Sequence, residues 1–298
     1  MRAHARRFAW LIALVVALPA LRGDDAPPLP PPPAAPPDPP PPAARALLLR
    51  CRFREGEERT YHLKLAGKGA AAMAEGGLSL PLTFKMEASI AEKVARVYEC
   101  GDADVATTMT TEEALLNGTP LSSGVSFPGT VTGPLRVTAR VSPSGQVVEA
   151  KSAAGVGSPG GVAGPSAALT ALGRGLALPE RPVKVGESWR APAPTEAGGE
   201  FQATTTLIAI EEAKGRTVAR LKHVFAGPVP AQALGSSGAA GGSVTGRQAG
   251  DLVLRFDVDA GRILGATGTV DMATGPAAGG AGWDVRLLLE IRLTGEGE

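Results

Sequence analysis

What most restricts the fold of this chain is an alternation of apolar and polar side chains with a period of two. It recurs along most of the sequence after residue 45. Tyr61, Leu63 and Leu65 alternate with His62 and Lys64; Leu82, Phe84, Met86, Ala88 and Ile90 alternate with Thr83, Lys85, Glu87 and Ser89. Leu135, Val137, Ala139 and Val141 alternate with Arg136, Thr138 and Arg140, and the same pattern runs through 47–54, 251–259 and 283–293. Successive side chains of a strand point to opposite faces, so each run has one buried face and one wet face. That is the signature of antiparallel sheets. Short connections separate the runs: Cys100-Gly101-Asp102, Ser142-Pro143-Ser144-Gly145, Lys214-Gly215 and Asp259-Ala260-Gly261. Each reads as a glycine-containing hairpin turn. A single stretch favours helix, Ala167 to Leu172 after Pro165-Ser166, ended by Gly173 and Gly175. The expected fold is mainly β: a large antiparallel, curved sheet or half-barrel with one short helix.

Order and spacing repeat along the chain. Phe84, Leu135 and Gly145 of the first half play the same parts as Phe201, Leu252 and Gly261 of the second. Upstream stand two similar tracts, Phe53-Arg54-Glu55-Gly56-Glu57-Glu58 and Val183-Lys184-Val185-Gly186-Glu187-Ser188-Trp189. These correspondences give two β modules, about 46–155 and 180–275, with a final strand at 282–294. Neither half can bury its apolar face alone.

The first residues have a different character. Arg2, Arg6 and Arg7 precede an apolar run from Phe8 to Leu18, then Pro19-Ala20, the layout of a secretory signal peptide at 1–23. The run is too short to span a bilayer as a mature helix. Residues 26–42 hold 12 prolines in 17 positions, within a Pro-rich spacer at 24–45 that reads as extended polyproline II. The β-rich domain is then 46–298, in a periplasmic or extracellular protein. Without Arg2, Arg6, Arg7 and Arg22 the 30 basic residues fall to 26 against 29 acids, a net charge near −3. Such a chain has no basic field for nucleic acid. In an exported protein its two cysteines, Cys51 and Cys100, are either two free thiols or one disulfide.

The tracts Pro179 to Trp189 and Phe256-Asp257-Val258-Asp259-Ala260-Gly261-Arg262 resemble motifs of uncharacterised exported bacterial β-proteins. The resemblance spans residues 50–294 and brings no established activity with it. The strand-rich layout is similar to the open half-barrels of lipoprotein carriers and lipid-binding lipoproteins. That similarity implies a curved sheet, capped by short helices, around an apolar cavity.

Catalytic signatures are missing. Gly155-Val156-Gly157-Ser158-Pro159-Gly160 fits a dinucleotide-loop spacing, but Pro159, Gly161, Gly164 and Pro165 prevent the helix that such a loop must open. Neither G-x-S-x-G nor S-x-x-K nor H-E-x-x-H occurs. His62 and His223 stand without ligand-spaced partners, and the pairs Glu57-Glu58 and Glu211-Glu212 point to opposite faces. Asp257 and Asp259 share a face beside a turn, with too few further oxygens for calcium. Residues 153–165 and 227–250, rich in Gly, Ala and Ser, read as loops.

The expectation is a non-enzymatic exported β-protein without cofactor or metal, binding an apolar ligand such as a lipid or a cell-envelope protein. On a curved sheet Phe84, Met86, Phe201, Leu207, Phe256 and Trp283 line the concave face as an apolar groove. The alternative is a structural or adhesive envelope scaffold whose contacts run through the sheet edges.

Overall fold

The computed structural model describes residues 46–73, 78–120, 134–152, 176–193, 201–228, 244–276 and 283–295. The chain divides into two units, Met1–Pro41 and Pro42–Glu298, and every described residue belongs to the second. The expected signal sequence, Pro-rich spacer, helix at 167–172 and loop at 153–165 lie outside the described residues.

The twelve strands are β1 (Glu58–Met73), β2 (Ser79–Val97), β3 (Ala103–Leu116), β4 (Thr119–Pro120), β5 (Leu135–Val141), β6 (Val147–Ser152), β7 (Ser188–Ala193), β8 (Phe201–Ala213), β9 (Arg216–Pro228), β10 (Val244–Asp257), β11 (Arg262–Pro276) and β12 (Trp283–Gly295). They form one antiparallel, curved and unclosed sheet, with no helix among the described residues. Its order is β6-β5-β3-β2-β1-β12-β11-β10-β9-β8-β7, and β4 pairs off the path with β3. Two meanders are thus joined side by side through β1 and β12, which pair from Tyr61↔Gly295 to Met73↔Trp283.

The alternation in sequence becomes two faces. On β1 Tyr61, Leu63 and Leu65 are buried while His62, Lys64 and Ala66 are exposed. The inward residues of β1–β3 and β8–β12 form one hydrophobic cluster with Leu47, Leu49, Leu176, Leu178 and Val183. Each fully buried Leu or Phe in it contributes about 1.5–3 kcal/mol. Register shifts leave one extra residue at Ala95 in β2, Glu112 in β3, Val148 in β6, Ile208 in β8 and Leu264 in β11, each a bulge. Bulges bend a strand and increase its twist, which a curved sheet requires. On the outer face charges alternate across strands, with Lys85 Nζ 2.7 Å from Glu113 and Lys93 Nζ 2.7 Å from Glu58. These exposed pairs add little stability but keep that face hydrated.

All four expected turns form. Lys214 and Gly215 both have positive φ, 52° and 73°, as a two-residue hairpin loop demands. Asn117 and Gly118 make a similar turn between β3 and β4 (φ 49° and 77°), and Asn117 Oδ1 accepts from Thr83 N at 2.7 Å. The two tracts matched in sequence make matching contacts. Gly56 N donates to Val94 O and Val94 N to Glu57 O; Gly186 N donates to Leu207 O and Leu207 N to Glu187 O.

Two expectations need correction. Residues 47–54 alternate like a strand but join no ladder. They cross one end of the sheet as an extended strap, bridged to Val183 through Leu47. The strap's backbone amides bond to hairpin-turn carbonyls, Cys51 N to Pro143 O at 2.7 Å and Arg52 N to Gly261 O at 3.1 Å. The alternation is genuine, since Leu47 and Leu49 are buried and Leu48 exposed; the hydrogen-bond partner is what differs. Second, the region 227–250 is partly strand, with 227–228 in β9 and 244–250 in β10. Small residues serve here because Gly250 lies opposite Phe225, whose ring occupies the space a Cβ at 250 would need.

Leu221→Ala in the core is expected to cost about 2–5 kcal/mol, and Gly250→Ala about 1–3 kcal/mol by displacing the Phe225 ring. Leu288→Ala, on a residue 54% exposed, should stay within about 0.5 kcal/mol. Urea unfolding at constant m-value checks all three.

Candidate functional site: inner face, closed end and free edges

The inner face was the expected ligand groove. Met86, Phe201, Leu207 and Phe256 lie in the core, and Phe84 packs against it half-buried. Trp283 is the first residue of β12, opposite Met73; its side chain is not among those described. Leu49 of the strap, Leu207, Leu221, Leu252 and Phe256 are wholly buried together. The Phe201 and Phe225 rings stack with centroids 5.7 Å apart. Polar groups interrupt this face at three points. Thr205 and His223 lie opposite each other on β8 and β9, with Thr205 Oγ1 2.9 Å from His223 Nδ1. His223 Nε2 and Gln248 Oε1 are buried without hydrogen-bond partners. Burial alone lowers the His223 pKa to about 4, so the ring is neutral at physiological pH.

The strapped end of the sheet is ionic. Arg59 donates through Nε and Nη2 to both carboxylate oxygens of Glu57, at 3.0 and 3.1 Å, and through Nη2 to Arg52 O at 2.9 Å. Its guanidinium lies 5.9 Å from the Phe53 ring centroid, and Arg262 Nη1 is 3.7 Å from Glu57. The hydrogen bond from Arg59 holds the Glu57 carboxyl below its usual range. Glu92, opposite Arg59 in register, is pushed the other way by burial. Arg50 Nη2 and Arg52 Nη1 reach Glu180 O and Asp259 O at 3.0 and 2.9 Å. Three arginines thus bind backbone carbonyls to fasten the strap, work that guanidinium forks do well.

Cys51 and Cys100 are both unbonded, Cys51 half-buried in the strap and Cys100 exposed in the β2–β3 turn. Burial pushes the Cys51 thiol up to about 11, which keeps it protonated and unreactive. Asp257 and Asp259 cap the β10–β11 turn, accepting from Ala260 N at 2.7 Å and Thr217 N at 3.0 Å. Glu57 and Glu58 serve separate partners, Arg59 and Lys93. Among the described residues no three of His, Cys, Asp or Glu converge as metal ligands.

The sheet ends in two edge strands, β6 and β7, each with a single neighbour among the described residues. Edge backbone groups invite another strand, and proteins blunt them with proline or charge. β7 carries Arg190 and Pro192. β6 exposes two apolar side chains, Val147 at 45% and Val148 at 59%, and Val148 is the extra residue of a bulge, since Val141 pairs with Val147 and Arg140 with Glu149. Sequence reasoning missed this edge because pairing order is invisible in alternation. Its one trace is the Val147-Val148 pair, which breaks the pattern.

His223 gives a pH prediction. Its folded pKa lies below the unfolded value near 6.5, so the unfolded chain takes up the proton first. Its contribution is complete above pH 6.5 and is lost as pH falls to about 4, by on the order of 3 kcal/mol. Unfolding free energies measured at pH 7 and pH 4 should show this loss in the wild type and a smaller one in His223→Gln.

The chain matches no protein family, and no curated protein is similar to it.

Proposed function

We propose that this is an exported, non-enzymatic β-protein of the cell envelope that holds a protein partner by strand addition at the β6 edge. The observation that carries the reading is the exposed, valine-bearing β6 at the end of an unclosed sheet. A partner strand there gains main-chain hydrogen bonds, and the exposed Val147 and Val148 offer it apolar contact. The basic n-region and apolar run at 1–23 support export. The prolines at 26–42 support a semi-rigid spacer that holds the β-domain away from its point of attachment. The paired tracts at Gly56 and Gly186 support an origin in two similar modules.

A second reading, an apolar ligand on the inner face, is favoured by the unpartnered His223 Nε2 and Gln248 Oε1. It is also favoured by the similarity to lipoprotein-carrier half-barrels. Native mass spectrometry of protein from its own host separates the two: a small-molecule mass lost on denaturation favours the ligand, a clean apo mass the partner.

A photo-crosslinking amino acid at position 148 should capture a discrete envelope protein in the native host, and one at position 288 should not. Val148→Lys should abolish that capture from position 147 while changing stability by less than about 0.5 kcal/mol. Equal labelling from 148 and 288 contradicts the proposal.

A further inference from the structure

Eleven strands lie along the path of the sheet once β4 is set aside, and every neighbouring pair is antiparallel. An odd count makes the first and last strands, β6 and β7, run in the same direction. They cannot close the sheet by pairing antiparallel with each other. One more strand between them, antiparallel to both, would complete an even-numbered ring. The curvature brings the two edges toward each other at their N-terminal ends. Leu178 N donates to Ser144 O, in the turn before β6, at 2.7 Å. The adjacent Ala177 O accepts from Trp189 Nε1 of β7 at 2.6 Å. A single segment thus touches both, while along their length β6 and β7 each keep one neighbour among the described residues.

Both edges are suited to a strand. On β7, Leu207 N donates to Glu187 O, and antiparallel alternation then turns the backbone groups of Ser188, Arg190 and Pro192 to the free side. Pro192, which has no amide to give, falls on that side, so the ladder to β8 loses no hydrogen bond. On the other edge the core side is open. Val137 of β5 and Val147 of β6 share the phase of the buried Ala103, Val105 and Met109 of β3, yet both are exposed. Valines that point inward and remain exposed lack the apolar side chains that a further strand would lay beside them.

We infer that the partner strand inserts between β6 and β7 and pairs with both, closing the sheet. This rests on the reading of β6 as a strand-addition edge and adds the second edge and the form of the occupant. β6 and β7 have six residues each, so the occupant is an extended peptide segment of about that length. It alternates apolar with polar side chains and turns the apolar ones toward Val137 and Val147. One free edge accepts a strand in either direction, whereas two edges of the same direction admit a single all-antiparallel one. A strand of a second copy fits less well. The copy's β6 or β7 is held on one side by its own neighbour, so it can pair with one edge only.

The test places a photo-crosslinking amino acid at position 148 or 190 of the full chain in its native host. Linked residues are mapped by mass spectrometry, with position 288 as background. The expected result is that 148 and 190 label one and the same partner segment, at residues within about six of each other. Arg190→Pro removes a main-chain donor that faces the opening and should lower capture from 148 about fivefold. Arg190→Ala keeps that donor and should change capture less than about twofold. Labelling from 148 alone, untouched by Arg190→Pro, overturns insertion and leaves addition at β6 standing. Labelling from 190 alone, or from neither position, overturns both. A link from either position to residues 153–175 of the same chain, or to a second copy, also overturns the inference.

Discussion

The pairing of β1 with β12 is the interaction on which the rest of this structure depends. Every other neighbouring pair in the sheet follows the chain through a turn or short excursion, and only this one unites distant segments. Without it there are two open meanders, each with an apolar face and nothing to bury it against. With it, Leu63 and Leu65 of β1 join Leu289 and Ile291 of β12 in one core that reaches Phe201 on β8. The entropy of closing so long a loop is repaid only when both meanders are present, so the fold is of the high-contact-order kind.

Two devices complete the burial that one curved sheet leaves unfinished. The strap at 46–54 and the segment at 176–187 bring Leu47, Leu49, Leu176, Leu178 and Val183 against one end of the core. Arginines tie the strap there through carbonyl oxygens. Two buried polar atoms left without a hydrogen bond, His223 Nε2 and Gln248 Oε1, lie instead on the inner face. An interior assembled in this way leaves the sheet's outer face and its edges as the surfaces most accessible to a partner.

Much of the sheet was legible because its signals are local. Period-two alternation located the strands, and Gly145, Gly215 and Gly261 marked turns whose positive φ they satisfy. Less was legible wherever the answer depends on a distant partner. Leu47 to Phe53 alternate correctly yet bond to Pro143 and Gly261, which no local pattern foretells. The strand at 244–250 has no apolar residue larger than Val244, and at Gly250 a ring from β9 fills the place of a side chain. The six apolar residues proposed for a groove were placed on the inward phase, and five of them pack in or against the core. The β6 edge, which has one neighbour among the described residues, arises from strand order, and so it appears only once the sheet is assembled.

The most direct test is hydrogen exchange resolved by strand under native conditions. If β1 and β12 weld one cooperative sheet, their central amides, at Leu63 to Gly67 and Leu289 to Ile291, exchange slowest and at a common rate set by global unfolding. Those of β6 and β7 then exchange fastest among the strands. Early exchange of β1 and β12 while β8–β10 stay protected would mean that the two meanders open independently, and would contradict the account.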